Sequence, residues 1–389
     1  MTRTLARLAL LVVFSNVIAF STASGGEGFL KDCDDNGCDS HSWGSFDGWH
    51  LGQCLSSQDQ PCEIVPGMFG DGGLVIPRTF SNVGGTRAVF QNHIYKVAEN
   101  NSALPQNRIG FNFNALGDVY SGLSGDQVEK DIYEYRLFAE KTLLNGLISL
   151  DFMLPFYTTS KYSYPSNLDL VVNGPGTEST FGDIAFGLKA LLHRSEHAAY
   201  SAGLRIEAPT AEEITAPPGP ALFYESIRDD VWNFTPYFAT LWQPSDRVFT
   251  QSFVSYRMNT GTLKEVPSTR TFREPSYFMA DVSIGYWLYR NAHSNYLTGL
   301  APTFELHYTG AWDKEQPDGT VNNVIYGHTD RLNMTAGLTA MLGRRVSAGL
   351  AISAPLRDKP ATVGSTDSPS TDRAYDWAAI ANLTYHFGG

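Results

Sequence analysis

Beyond residue 24 this chain of 389 residues contains no apolar run approaching the roughly 20 residues that a membrane-spanning helix needs. A helical membrane protein is thereby excluded. Charged residues make up only 17% of the chain, and a net charge of −12 leaves no basic stripe for a nucleic acid, whose phosphates would be repelled. Cysteine is nearly absent: Cys33, Cys38, Cys54 and Cys62 are the only four, and all fall within residues 33–62. In an exported chain an even, clustered set reads as two disulfides with three possible pairings. Zinc, the rival ligand reading, lacks paired C-x-x-C units here. What abounds is Gly (36), Phe (23) and Tyr (19), a composition that suits a β-barrel with aromatic girdles at the two membrane surfaces.

Residues 1–23 read as a cleaved signal peptide. Arg3 and Arg7 make a basic start, Leu8 to Phe20 a mostly apolar stretch too short to span a bilayer, and Ser21-Thr22-Ala23 a small-residue cut site. The rest divides by composition. Residues 24–105 are Gly-rich, hold every cysteine and show little alternation, whereas residues 106–389 settle into a regular rhythm.

That rhythm alternates apolar with polar or small residues. Gly182, Ile184, Phe186, Leu188, Ala190 and Leu192 share one face, while Asp183, Gly187 and Lys189 lie on the other. Leu332, Met334, Ala336, Leu338, Ala340 and Leu342 oppose Arg331, Asn333, Thr335, Gly337 and Thr339 in the same way. Period two is the mark of strands with two different faces. The spacing predicts twelve of them, near 108–117, 132–143, 146–157, 181–192, 197–208, 231–242, 246–258, 276–289, 296–310, 329–342, 345–357 and 373–387. Short turns alternate with long loops, as in a transmembrane antiparallel up-and-down β-barrel with periplasmic turns, extracellular loops and both termini periplasmic. One face of each strand carries too many charges for a dry core, so the apolar faces must point outward to lipid. Trp232, Trp242, Tyr296, Tyr308, Tyr375, Tyr385 and Phe387 belong to that outer face near strand ends, where aromatic rings meet the interface. The placement of residues 24–105 stays open between a periplasmic cap, a plug inside the lumen, and an added hairpin at Thr86 to Val97 that would make fourteen strands.

Leu383, Tyr385 and Phe387, alternating before Gly388-Gly389, resemble the C-terminal signature of outer-membrane barrels, which implies delivery by the barrel-assembly machinery. Lys96 to Arg108, leading into Ile109 to Asn114, looks like the entry to the first strand in outer-membrane barrels of planctomycete-type bacteria. Phe181-Gly182-Asp183-Ile184-Ala185-Phe186-Gly187-Leu188-Lys189 is similar to a strand of the transporter-like barrels linked to phenol-degradation pathways. The resemblance spans about residues 90–389 and implies an outer-membrane channel of unassigned substrate.

The alternation aims Glu134, Arg136, Asp183, Lys189, Arg205, Glu207, Asp281, Glu305, His307, Arg331 and Arg345 into the lumen. There they either line an aqueous path for small solutes or pair across the wall and fill it. Asp32, Asp34 and Asn36, with Gly37, match the opening of a calcium loop, but position twelve of that loop is Trp43 and not a bidentate Glu. An acidic turn is the competing reading, and no cofactor is expected. His307 and His386 point inward, so no Ser–His pair faces lipid and an enzyme is not expected. A structural or adhesive barrel acting through loops 159–180 and 209–230 is the alternative to a channel.

Overall fold

The computed structural model describes residues 33–34, 37–38, 65–82, 85–123, 126–159, 163–164, 172–173, 178–195, 197–211, 214–216, 225–228, 231–266, 271–291, 294–311, 316–318, 329–357 and 372–387. Residues 1–23, Asp32, Asn36, Cys54 and Cys62 lie outside them, as do the side chains of Cys33, Asp34 and Cys38. The expectations of a calcium loop and of two disulfides therefore fall outside the described residues. The backbone does place Cys33 opposite Cys38 in a two-residue ladder.

Twelve antiparallel strands close into a barrel. They are β1 (Arg108–Leu123), β2 (Asp126–Leu143), β3 (Ile148–Thr159), β4 (Glu178–Phe181, resumed as Ile184–Arg194), β5 (Ala198–Ala208), β6 (Asn233–Trp242), β7 (Val248–Asn259), β8 (Tyr277–Tyr286), β9 (Leu297–Ala311), β10 (Thr329–Leu342), β11 (Val346–Pro355) and β12 (Trp377–His386). Closure comes from β12 pairing with β1, from Trp377 opposite Gly117 to His386 opposite Arg108. No strand edge is left to face hydrocarbon, where nothing could satisfy it. No helix among the described residues is long and apolar enough to cross a membrane.

The faces are inverted relative to a water-soluble sheet. Ile109, Leu137, Leu150, Phe186, Leu188, Ile284, Phe304, Leu338, Leu350, Ile352 and Leu383 are exposed, while Glu134, Arg136, Lys189, Gln251, Asp281, Glu305 and His307 are buried. Trp232 and Trp377 are exposed at the long-loop end, and Trp242, Tyr286, Tyr289, Tyr296 and Tyr385 at the short-turn end. Trp232, just ahead of β6, and Trp242, its last residue, stand ten residues apart, a rise of about 33 Å for extended chain, or roughly 25 Å across a membrane at a tilt near 40°. That height matches an apolar band. Tyr375 departs from expectation: it is buried and turned inward, because residues 372–376 precede β12 and do not follow its alternation.

The tight turns need unusual backbone. Leu144, Asn145 and Gly146 between β2 and β3 all take positive φ, as does Gly343 between β10 and β11. At the opposite end the first pair of strands runs on to Leu123 and Asp126, where the alternation predicts a loop over 118–131. A bulge between Leu116 and Val119, with Asp118 at positive φ, breaks the alternation and hides this continuation. Segments of three other long loops form a separate sheet, in the order Ile214–Ala216, Glu225–Arg228, Leu263–Val266, Thr271–Arg273 and Gln316–Asp318.

The ladder Leu74–Asn82 with Gly85–Ile94 pairs only with itself, so the barrel has twelve strands and not fourteen. An arginine at an outward position near mid-membrane should cost about 2–4 kcal/mol. Leu350→Arg and Leu338→Arg should therefore reduce the folded fraction in a heat-modifiability assay, and Ser347→Arg, on the opposite parity near the short-turn end, should do so far less.

Candidate functional site

The lumen is occupied by residues of the chain's own segment 65–107, ahead of β1. Val65 and Met68 join Leu241, Phe249 and Trp287 in one apolar cluster at the short-turn end. Ile94 packs with Tyr277, Met279 and Ala311 at the long-loop end. The segment thus rises through the barrel, forms the ladder of residues 74–94 beside Ile214–Ala216, and descends again to Arg108. Nine residues, 65–73, reach at most about 30 Å when fully extended, which is of the order of one such crossing. The two limbs are tied together: Met68 N donates to Asn101 O (3.1 Å) and Asn100 N to Met68 O (2.7 Å).

Two features of sequence let the ascending limb fit. Gly70, Gly72 and Gly73 take φ of 85°, 80° and 75°, a region that side chains disfavour. On the wall, Gly337 and Gly349 face inward on adjacent strands and leave the hollow that receives the Phe69 ring. A Cβ at either would come within 2.4 Å or 2.6 Å of that ring. Ala351 and Ile380 complete the socket.

Around this socket the contact between segment and wall is polar. Glu305 of β9 accepts the backbone N–H groups of Phe69 and Gly70, both at 2.9 Å. Its other neighbour is His307 Nε2 at 3.2 Å, and His307 Nδ1 lies 2.9 Å from Asp281 Oδ1 of β8. Lys96 Nζ reaches Asp71 at 2.9 Å and Asp281 at 3.3 Å, while Asn333 Nδ2 donates to Asp71 at 2.8 Å. Lower in the lumen, Glu140 accepts from Arg108 (2.6 Å), Lys189 (3.0 Å) and Ser149 (2.6 Å), and Lys189 also donates to Asn101 Oδ1 (2.8 Å). Arg136 lies between Glu134 (2.5 Å) and Glu99, with its guanidinium over the Tyr95 ring at 5.1 Å. Wall donors also bind segment carbonyls: Arg205 to Lys96 O (3.2 Å), Gln251 to Pro66 O (2.6 Å), Thr335 to Gly70 O (2.7 Å) and Tyr375 to Asp71 O (2.5 Å). Charges buried this deeply are tolerable only when paired and hydrogen-bonded.

The residues aimed at the lumen by alternation separate into three groups. Glu134, Arg136, Lys189, Arg205, Asp281, Glu305 and His307 meet residues 65–104 directly or through one another. Arg331 is also buried. Asp183 and Glu207 belong to the long-loop rim, where Asp183 accepts from Thr210 N (3.0 Å) and Ala211 N (2.9 Å), and Glu207 holds Arg257 at 2.9 Å. Arg345 is a correction: it is exposed in the turn ahead of β11, its guanidinium donating to the outward Tyr385 hydroxyl at 3.3 Å. Strand parity does not extend to a residue that precedes the strand. Phe69, Asp71, Lys96 and Glu99 were not legible as site residues, although two inward glycines on adjacent strands hint that something large must fill the gap. Among the described residues no group of His, Cys, Asp and Glu could hold a metal ion.

No protein-family model matches this chain, and no curated protein sequence does. Among solved structures, the COG4313 outer membrane channel from Pseudomonas putida F1 aligns over 74% of this chain and 97% of its own, at a TM-score of 0.52 and 12% identity. The transport unit of the autotransporter AIDA-I from Escherichia coli aligns over 76% and 93%, at 0.46 and 7%. A KdgM porin aligns over 72% and 99%, at 0.38 and 8%. The first likeness is one of fold, a closed outer-membrane barrel.

Truncating Phe69 to Ala should empty the Gly337–Gly349 socket. A buried Phe→Ala change costs about 3–5 kcal/mol where it is well packed. Hydrogen exchange at Met68 to Asp71 should accelerate while that of β10 and β11 stays slow. Equal acceleration in the strands would mean that the ring supports the barrel and not the threaded segment.

Proposed function

We propose that this protein is a channel of the bacterial outer membrane for small solutes, held shut by its own residues 65–104 until that segment shifts. The observation that carries the reading is the polarity of the contact between segment and wall. Glu305, Asp281, Lys189, Arg136, Arg205, Gln251 and Asn333 can all be solvated by water that replaces the segment, so displacement would leave a hydrated, charged path. A barrel serving only as an anchor gains nothing from so many buried charges that an apolar filling would not provide at lower desolvation cost. The small apolar socket of Phe69 then acts as a catch.

In this reading the short turns and both termini are periplasmic. Outer-membrane lipids cover the apolar belt, and the barrel-assembly machinery inserts the chain. The planctomycete likeness and the link to phenol-degradation pathways rest on Lys96 to Asn114 and Phe181 to Lys189 alone, and they assign no substrate.

Opening the catch tests the mechanism. In planar bilayers Phe69→Ala, which empties the Gly337–Gly349 socket, should conduct more at rest than the unaltered protein. A chain lacking residues 65–104 should conduct continuously. If none of these proteins conducts or releases a trapped solute from liposomes, the channel reading fails and a structural role through the loops takes its place.

A further inference from the structure

The wall patch against which the threaded segment rests has a chemistry of its own. Asp281 of β8, His307 of β9 and Asn333 of β10 stand side by side in register, and Glu305 and Thr335 form the neighbouring line on β9 and β10. All five are buried. Three adjacent strands therefore present two carboxylates, an imidazole, an amide and a hydroxyl on a single face of the lumen.

The segment answers this patch with both halves of an ion pair. Lys96 Nζ is 2.9 Å from Asp71 Oδ2, so an ammonium and a carboxylate drawn from two distant points of the chain lie as close as the two ends of an α-amino acid. Each end has its own acceptor or donor on the wall. The ammonium is 3.3 Å from Asp281 Oδ1, an oxygen also held by His307 Nδ1. The carboxylate oxygen accepts from Asn333 Nδ2 at 2.8 Å. Two further N–H donors of the segment, at Phe69 and Gly70, bind Glu305. Donor meets acceptor at Asp281, Glu305 and Asn333, with Asp71 Oδ1 the buried atom of the pair that lacks a hydrogen bond, in a lumen where a segment serving as a stopper alone could be held by its apolar socket.

We propose that Asp281, His307, Glu305 and Asn333 form a binding site for a small α-amino-acid zwitterion, and that the Lys96–Asp71 pair occupies it as an internal stand-in. The proposal deepens the channel reading and rests on it. A permeating zwitterion places its ammonium on Asp281 and its carboxylate on Asn333, displaces Lys96 and Asp71, and so releases the catch. Because solute must compete with a tethered occupant, its apparent affinity is lowered by the fraction of time the site is vacant.

The test uses the full-length protein in planar bilayers, with glycine as the probe. Millimolar glycine should raise open probability, and ethylammonium plus acetate, which carry the same two charges on separate molecules, should need at least ten times the concentration. 6-Aminohexanoate, whose charges are far apart, should resemble the separate ions. Asp281→Asn should abolish the glycine response and raise basal conductance, since Lys96 is then held less firmly. Phe69→Ala, which leaves the patch intact, should conduct more at rest and respond to lower glycine concentrations. An equal response to glycine and to the separate ions, or an unchanged dose dependence in Asp281→Asn, overturns the site. Conduction by Phe69→Ala without any glycine response also overturns the site but leaves the channel standing. Silence of every variant under every condition overturns the channel reading and the site together.

Discussion

Inside a hydrocarbon layer a backbone amide has no partner except another backbone group, and this requirement governs the molecule from β1 to β12. The register between Arg108–Leu123 and Trp377–His386 meets it by turning a sheet into a closed ring. Once the ring is closed, alternation along each strand assigns every side chain to lipid or to lumen. The outward set is apolar because lipid is its solvent. The inward set is free to be polar only if water or other polar groups are there to receive it.

In this barrel those groups come from the chain itself. Residues 65–73 and 94–104 carry backbone carbonyls, amides, Asp71, Lys96 and Glu99 to the wall and so satisfy charges that would otherwise be buried without partners. Apolar contact is confined to a few places, chiefly the Phe69 ring over Gly337 and Gly349 and the cluster of Val65 and Met68 at the short-turn end. Such an interface differs from a folded core in one respect that matters for function. Most of its groups lose little on exchanging a protein partner for water, since the net value of a typical hydrogen bond is only about 0.5–1.5 kcal/mol. The contacts are numerous, yet the state without them is also solvated.

The rim is built on a different logic from the lumen. Asp183, set in the break of β4 next to Gly182, caps the loop amides of Thr210 and Ala211, and the Arg257 guanidinium is shared between Glu207 and Glu274. These pairs fix where strands end and long loops begin, beneath the small separate sheet that three of the loops contribute. The same residue types that face the threaded segment lower down thus serve here to hold the mouth in shape.

By itself the sequence determined the approximate bounds of twelve barrel strands, the face each presents and the order of short turns and long loops, because those depend on a period of two that survives in any solvent arrangement; the choice between twelve strands and fourteen fell to the pairing of Leu74–Asn82 with Gly85–Ile94. Parity was enough to aim Lys189, Asp281, Glu305 and His307 inward. It failed where the chain leaves the strand: at Arg345 in a turn, at Tyr375 ahead of β12, and past the bulge at Leu116 to Val119 where β1 and β2 continue. Only the tertiary structure decided that residues 65–104 thread the lumen and that Asp71, Lys96 and Glu99 meet wall residues far away in sequence. Nothing periodic marks that segment. Its conformation is dictated by left-handed glycines and by hydrogen-bonding and ionic partners on at least nine of the twelve strands, which come together only after the barrel has closed.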